Sequence, residues 1–212
     1  MSHTAPRFLH YVPDSTKGER YHRVALAVAA ILLQRRPDDV TVAAIARRAK
    51  VSRPWIYKYF GRDTRDLVAF AVQHFGTAFN ELDAPPEGEL TVEAWCTMIR
   101  QRTHKALDDA VAAPWVLQLY LRYRHAPGPL GEAMRREEER HLERFLDSVP
   151  KVLVARHGGR AVRAFSIAFQ ASRIGIYFRY SDPATQTQLD RDTAAAEVLR
   201  PLEHFVSPSG QG

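Results

Sequence analysis

The stretch Thr41 to Phe60, TVAAIARRAKVSRPWIYKYF, holds two helix starts separated only by a short break, and that constrains the fold more than any other feature of the chain. The hydroxyl of Thr41 can satisfy a backbone N–H at the start of a helix, and Val42, Ile45 and Ala46 then fall on one face at helical spacing. Ala49, Lys50 and Val51 interrupt the pattern. Ser52 supplies a second cap, and Pro54 is tolerated because the first helical turn has no N–H bond to lose. The reading is a helix-turn-helix. In its second helix Ile56 and Phe60 lie inward, while Arg53, Trp55, Tyr57, Lys58 and Tyr59 crowd the outer side. An α-helix fits the major groove of B-DNA, with residues near its N-terminus reaching base edges. Arg53 is placed to fork onto a guanine, Trp55 to pack on a thymine methyl, and Tyr57, Lys58 and Tyr59 to donate to phosphates. Taken alone, a short basic helix also fits a merely solvated face.

The ordered set Thr41, Val42, Ile45, Ala46, Ala49, Val51, Ser52, Tyr57, Tyr59 and Phe60 resembles the DNA-binding domain of TetR-family transcriptional regulators. That pattern runs T-V-x-x-I-A-x-x-A-G-V-S, then four residues to a Tyr and Y-F. The chain departs from it at Lys50, where the family has a turn glycine, so a residue with a Cβ must take a conformation glycine adopts more cheaply. Pro54 and Trp55 replace small residues, so an operator sequence does not carry over. Arg65 and Asp66 look like counterparts of the lysine and acidic residue that open the family's fourth helix, which passes a phosphate contact to Arg65. The DNA-contacting set implied is Thr41, Ser52, Arg53, Pro54, Trp55, Tyr57, Lys58, Tyr59 and Arg65.

Charge follows the same division. Residues 1–80 carry 13 Lys and Arg against 6 Asp and Glu, and the remainder 17 against 18, so the basic excess lies with the helix-turn-helix, as binding a polyanion requires. The longest apolar run, Val24 to Leu33, is too short for a bilayer span, which needs about 20 residues, and no secretory signal is evident. A cytoplasmic protein without membrane contact is expected. Cys96 is the lone cysteine, with no histidine at i±3 or i±4, and reads as a small packing residue. No cysteine cluster, zinc-type histidine spacing or glycine-rich phosphate loop occurs, so no metal, cofactor or catalytic residues are expected.

The whole pattern is all-α. Residues 1–17 read as a flexible arm in which Arg7 or Lys17 is available to reach a DNA groove, and 18–62 as the helix-turn-helix domain, its first helix running from about Gly18 to Arg36. Residues 63–212 read as a larger helical domain. Its helices are expected over Thr64–Leu82 with Asp63 as cap, then Thr91–Ala112, Pro114 onward, Pro129–Val149, Arg160–Tyr180 and Thr185–Val206. Pro150 to Val154 and Gly158-Gly159 read as a connection, and Pro201 as a kink in the last helix. The helix over 160–180 is apolar on most sides, with small residues that allow close approach by other helices.

The resemblance implies a homodimer joined through its last two long helices, a palindromic double-stranded DNA operator and release by a small-molecule effector, most often from repression. Trp95, Trp115, Tyr120, Tyr123, Phe169, Gln170, Arg173 and Tyr177 are candidates to line a site for an effector that is apolar with an acidic or polar head, although packing accounts for each equally well. Arg173 is the sharpest candidate, because a guanidinium amid apolar residues needs a partner. A structural carboxylate, a group across a dimer interface, or the acidic head of a ligand would serve. The rival readings are a helical interaction protein and an enzyme, neither with sequence-specific DNA binding.

Overall fold

The computed structural model describes residues 16–34, 39–79 and 90–207, and among these all regular structure is helical. The helices are α1 (Thr16–Gln34), α2 (Val42–Ala49), α3 (Arg53–Phe60), α4 (Thr64–Phe79), α5 (Val92–Ala112), α6 (Pro114–Tyr123), α7 (Pro129–Ser148), α8 (Lys151–His157), α9 (Gly159–Tyr180), α10 (Pro183–Gln186) and α11 (Arg191–Val206). Two compact units form, one from residues 1–80 with 115–138 and one from 81–114 with 139–212, so α7 contributes its first half to one and its second half to the other.

In the first unit α1 packs on α2 and α4, and α2 on α3. Val24 and Val28 of α1, Ile45 of α2, Ile56 of α3 and Leu67 of α4 are fully buried and meet in its core. Complete burial of one such side chain contributes about 1.5–3 kcal/mol before conformational entropy is counted. The end of α1 is closed from α6. The Tyr123 hydroxyl donates to the Leu32 carbonyl at 2.9 Å and Arg122 Nη1 to that of Leu33 at 3.3 Å, supplying partners for carbonyls that a helix end leaves without one. Across α1 and α4, His22 Nδ1 and His74 Nε2 lie 3.0 Å apart. Burial, and next the charge of His22, push His74 down to about 4.

In the second unit α9 packs against α5, α8, α10 and α11, and α11 also against α5. Trp95 of α5 is fully buried, with its indole N–H donating to Ser148 Oγ at 3.1 Å and its ring 5.8 Å from Phe145. Cys96 is half-buried, and burial pushes its thiol up, away from the reactive thiolate.

Three sequence expectations are corrected here. Residues 151–157 are a helix rather than a connection, opened by Pro150 and closed at Gly158, whose φ of 81° suits glycine. The last helix begins at Arg191 rather than Thr185, because Asp190 accepts the Thr193 N–H at 2.9 Å and starts it afresh, leaving Leu189 outside. Finally, α9 buries one stripe, Val162, Ser166, Phe169, Arg173, Tyr177 and Tyr180, and turns Ala164, Ile167, Ala168, Ala171, Gly175 and Phe178 outward. Pro201 stands inside α11, which continues through it. Of the arm expected over 1–17, Thr16 and Lys17 open α1, and Arg7 lies outside the described residues, as do Arg36 and Leu82, where α1 and α4 were expected to end.

Candidate nucleic-acid interface

Both caps form. Thr41 Oγ1 accepts the N–H of Ala44 at 3.2 Å and Ser52 Oγ that of Trp55 at 3.3 Å. Each exposed hydroxyl keeps its own O–H to donate to a phosphate. Between the helices Lys50 has φ 54° and ψ 43°, in the left-handed region, and its N–H reaches back to the Ala46 carbonyl. Val51 N–H donates to the same carbonyl at 3.1 Å. The turn angle between α2 and α3 therefore depends on a conformation that costs a residue with a Cβ roughly 1–2 kcal/mol.

On α3, Ile56 is buried, whereas Arg53, Pro54, Tyr57 and Lys58 face solvent, Tyr57 at 42% exposure. Trp55 and Tyr59 are half-buried instead. Their rings are 4.8 Å apart and stand 5.5 and 5.9 Å from Tyr21 of α1, in an aromatic cluster with Phe60 and Phe70. Cations sit over two of these rings, Lys17 over Tyr59 at 4.9 Å and Arg20 over Trp55 at 5.9 Å, and Arg62 lies over the exposed Tyr57 at 5.8 Å. The exposed Arg47, Arg48 and Lys50 extend the basic surface along α2 and the turn. The part of α1 was not legible in the motif, since Tyr21, Lys17 and Arg20 lie well upstream of it.

Arg65 is exposed at the start of α4, and Asp63 caps that helix by accepting the Arg65 N–H at 2.8 Å. The Arg65 Nε donates to the other Asp63 oxygen at 2.7 Å, which holds the Asp63 carboxyl below its usual range. A phosphate at this point would exchange with Asp63 for the guanidinium.

The candidate effector residues divide between the units. Trp115, Tyr120 and Tyr123 belong to the first, where Trp115 packs edge-on against Phe75 at 4.9 Å and the Tyr120 hydroxyl donates to Glu138. Trp95, Phe169, Gln170, Arg173 and Tyr177 belong to the second. Arg173 is 9% exposed, lies 5.6 Å from the ring centre of Phe169 and 5.5 Å from that of Tyr177, and donates from Nε to the Tyr177 hydroxyl at 3.1 Å. His141, which the sequence reading passed over, belongs to the same unit and is also buried.

A capped two-helix motif with a basic, phenolic outer face defines a DNA-binding protein of the helix-turn-helix class. Residues 25–69 match the family model described as "Bacterial regulatory proteins, tetR family". No curated protein matches the chain. Among solved structures, a protein described as a TetR-family transcriptional regulator from Rhodococcus sp. superimposes with a TM-score of 0.62 at 15% identity, over 89% of this chain and 100% of its own. A TetR-like transcriptional regulator from Rhodococcus sp. RHA1 gives 0.58 at 17%, over 89% and 97%. NalD of Pseudomonas aeruginosa, the secondary repressor of the MexAB-OprM multidrug efflux pump, gives 0.57 at 18%, over 91% and 99%. Residues 25–69 thus carry a DNA-binding domain of the TetR-family type, and the fold of the chain as a whole is similar to those of the solved regulators. No helix among the described residues is long and apolar enough to cross a membrane, and no group of three or more His, Cys, Asp or Glu there could hold a metal ion.

Proposed function

We propose that the protein is a ligand-responsive repressor that binds a near-palindromic DNA operator as a homodimer and is released by a small molecule bound in its second helical unit. The observation that carries the reading is the α2–turn–α3 motif, with both caps made and Arg53, Tyr57 and Lys58 turned to solvent. Arg53 at the start of α3 reads bases, while Thr41, Ser52, Lys58 and Arg65 hold the backbone. Pro54 and Tyr57 complete the contact surface, and Trp55 and Tyr59 act mainly by fixing α3 against α1. Two-fold symmetry of the operator follows from two-fold symmetry of the dimer. The exposed apolar face of α9, with Ile167 at 52% and Phe178 at 42%, supports a dimer built there. Release requires that the effector prefer a conformation in which the two recognition helices fit DNA poorly, since equal affinity for both would shift nothing.

The test is fluorescence anisotropy with DNA from upstream of the protein's own coding region against scrambled DNA of equal length, across a range of salt concentrations. Preference for the upstream DNA, with affinity falling steeply as salt rises, is expected, the logarithmic slope being about 0.9 per phosphate neutralised. Failure to prefer any sequence, including in selection from random DNA, would remove the reading.

A further inference from the structure

We propose that the second unit holds a binding site for an organic carboxylate, anchored on the guanidinium of Arg173 with His141 and Gln170 beside it. This deepens the effector part of the function proposed above and rests on that reading only in identifying the ligand as the effector.

The argument begins with an uncompensated charge. Arg173 is 9% exposed, and among the described residues no carboxylate pairs with it; its one hydrogen bond runs from Nε to the Tyr177 hydroxyl. A guanidinium cannot shed its proton, so the charge remains when the group is buried. The ring faces of Phe169 and Tyr177 offset part of the desolvation but offer no acceptor. With Nε engaged, the two Nη groups of the fork are what remains to meet an anion.

The neighbours are of the same character. Phe145 of α7 lies 5.6 Å from Phe169 of α9. One turn back along α7 is His141 and one turn on along α9 is Arg173, and the charge of Arg173 acts on His141, so the two lie near one another. His141 is 8% exposed and its Nδ1 is buried with no hydrogen-bond partner. Burial, and then the charges of Arg173, Arg144 and Arg102, push it down to about 3, so the ring is neutral and these three charges beside it are positive. Gln170, one turn before Arg173, has a buried Nε2 likewise without a partner. Three polar groups, one on α7 and two a turn apart on α9, therefore lack partners or counter-charge, and an anion bound among them would answer all three.

The chemistry selects a carboxylate. A planar monoanion meets the guanidinium edge through two parallel hydrogen bonds and takes further donors from the amide and, in the appropriate tautomer, the imidazole. A phosphate dianion would bring a second charge, and Arg102 and Arg144, which have partners of their own, are the more exposed cations. The rings of Phe169, Phe145 and Trp95 pack on one another beside the guanidinium and make its surroundings apolar, which favours an organic acid over a fully hydrated inorganic anion.

Isothermal titration of the full chain with benzoate, octanoate and inorganic phosphate tests this. Binding of at least one carboxylate at one site per chain, weakened about tenfold or more in Arg173→Gln, is expected, as for loss of a charge-assisted bidentate contact. Absence of binding by both carboxylates at millimolar concentration, unchanged affinity in Arg173→Gln, or preference for phosphate would overturn it. Should Arg173→Gln fail to give the helical circular dichroism of the wild type, Gln170→Leu and His141→Phe carry the same test, with weaker carboxylate binding expected and equal binding contradicting the site. Anisotropy on operator DNA, run without carboxylate, reports the regulator reading separately. Carboxylate bound through Arg173 with no change in DNA affinity would uphold the site and count against its being the effector site.

Discussion

At the scale of single residues, the turn at Lys50 shows how a local requirement can be met by an unfavourable side chain. Its left-handed backbone is cheap for glycine and costs about 1–2 kcal/mol for lysine, offset in part by glycine's greater freedom in the unfolded chain. Lys50→Gly should therefore stabilise the first unit by up to about 1 kcal/mol, read from the urea midpoint at constant slope. The same substitution removes an exposed cation and should lower the salt slope of DNA binding by about one unit. Arg53 and Trp55 separate by role although they are near neighbours. Arg53→Ala should weaken operator binding by about 1–3 kcal/mol and relax sequence preference without moving the melting temperature. Trp55→Ala should lower the melting temperature first, because its ring is spent on Tyr21 and Tyr59. The caps at Thr41 and Ser52 were legible because a cap is a rule about three or four consecutive residues. The inward lean of Trp55 was not, because it depends on Tyr21, a residue the motif does not contain.

At the scale of elements, α1 is held from both sides by contacts distant in sequence. Loss of the Tyr123 hydroxyl leaves the Leu32 carbonyl buried without its donor, so Tyr123→Phe should cost about 1–2 kcal/mol in urea unfolding. The α1–α4 seam should also respond to acid. His74 titrates near 4 when folded and near its ordinary 6.5 when unfolded, so between these values the unfolded chain binds more protons. Stability is then complete above about pH 6.5 and falls as pH drops toward 4. The partly solvated setting reduces the effect to roughly 1–2 kcal/mol. His22 of α1 faces His74 across the seam and is lowered as well, which makes charging both in the fold less favourable still. In His74→Leu the change in urea midpoint between pH 7 and pH 5 should be smaller than in the wild type, and an unchanged difference would assign the acid sensitivity elsewhere. Long amphipathic helices such as α5 and α7 were legible from apolar spacing. The short α8 was not, because only Leu153 of its Val152-Leu153-Val154 run is buried, and such a run has no helical period.

At the scale of the whole molecule, the sequence divides its labour by charge, and the basic excess lies with the residues that carry the helix-turn-helix. What the sequence left ambiguous in α9 was direction. Its apolar and small residues are spread around the helix, and only the packing of α5, α8, α10 and α11 decides which stripe is inside. The remaining stripe leaves Ile167 and Phe178 exposed among Ala164, Ala168, Ala171 and Gly175, small enough to let a second helix approach closely, and an added Cβ at Gly175 would meet nothing within its own chain. A homodimer joined there places a charged side chain at Ile167 against its own copy or against apolar surface, without disturbing the fold of either chain. Ile167→Glu should therefore sediment as a monomer at concentrations where the wild type is a dimer, with unchanged helical circular dichroism. A monomer engages one half-site at a time and forfeits the advantage of linked binding, so its affinity for a full operator should fall by roughly 10²–10⁴ while its affinity for an isolated half-site stays the same. A variant that remains dimeric would move the interface off α9; one that is monomeric yet binds the full operator as before would show that each chain reads DNA independently.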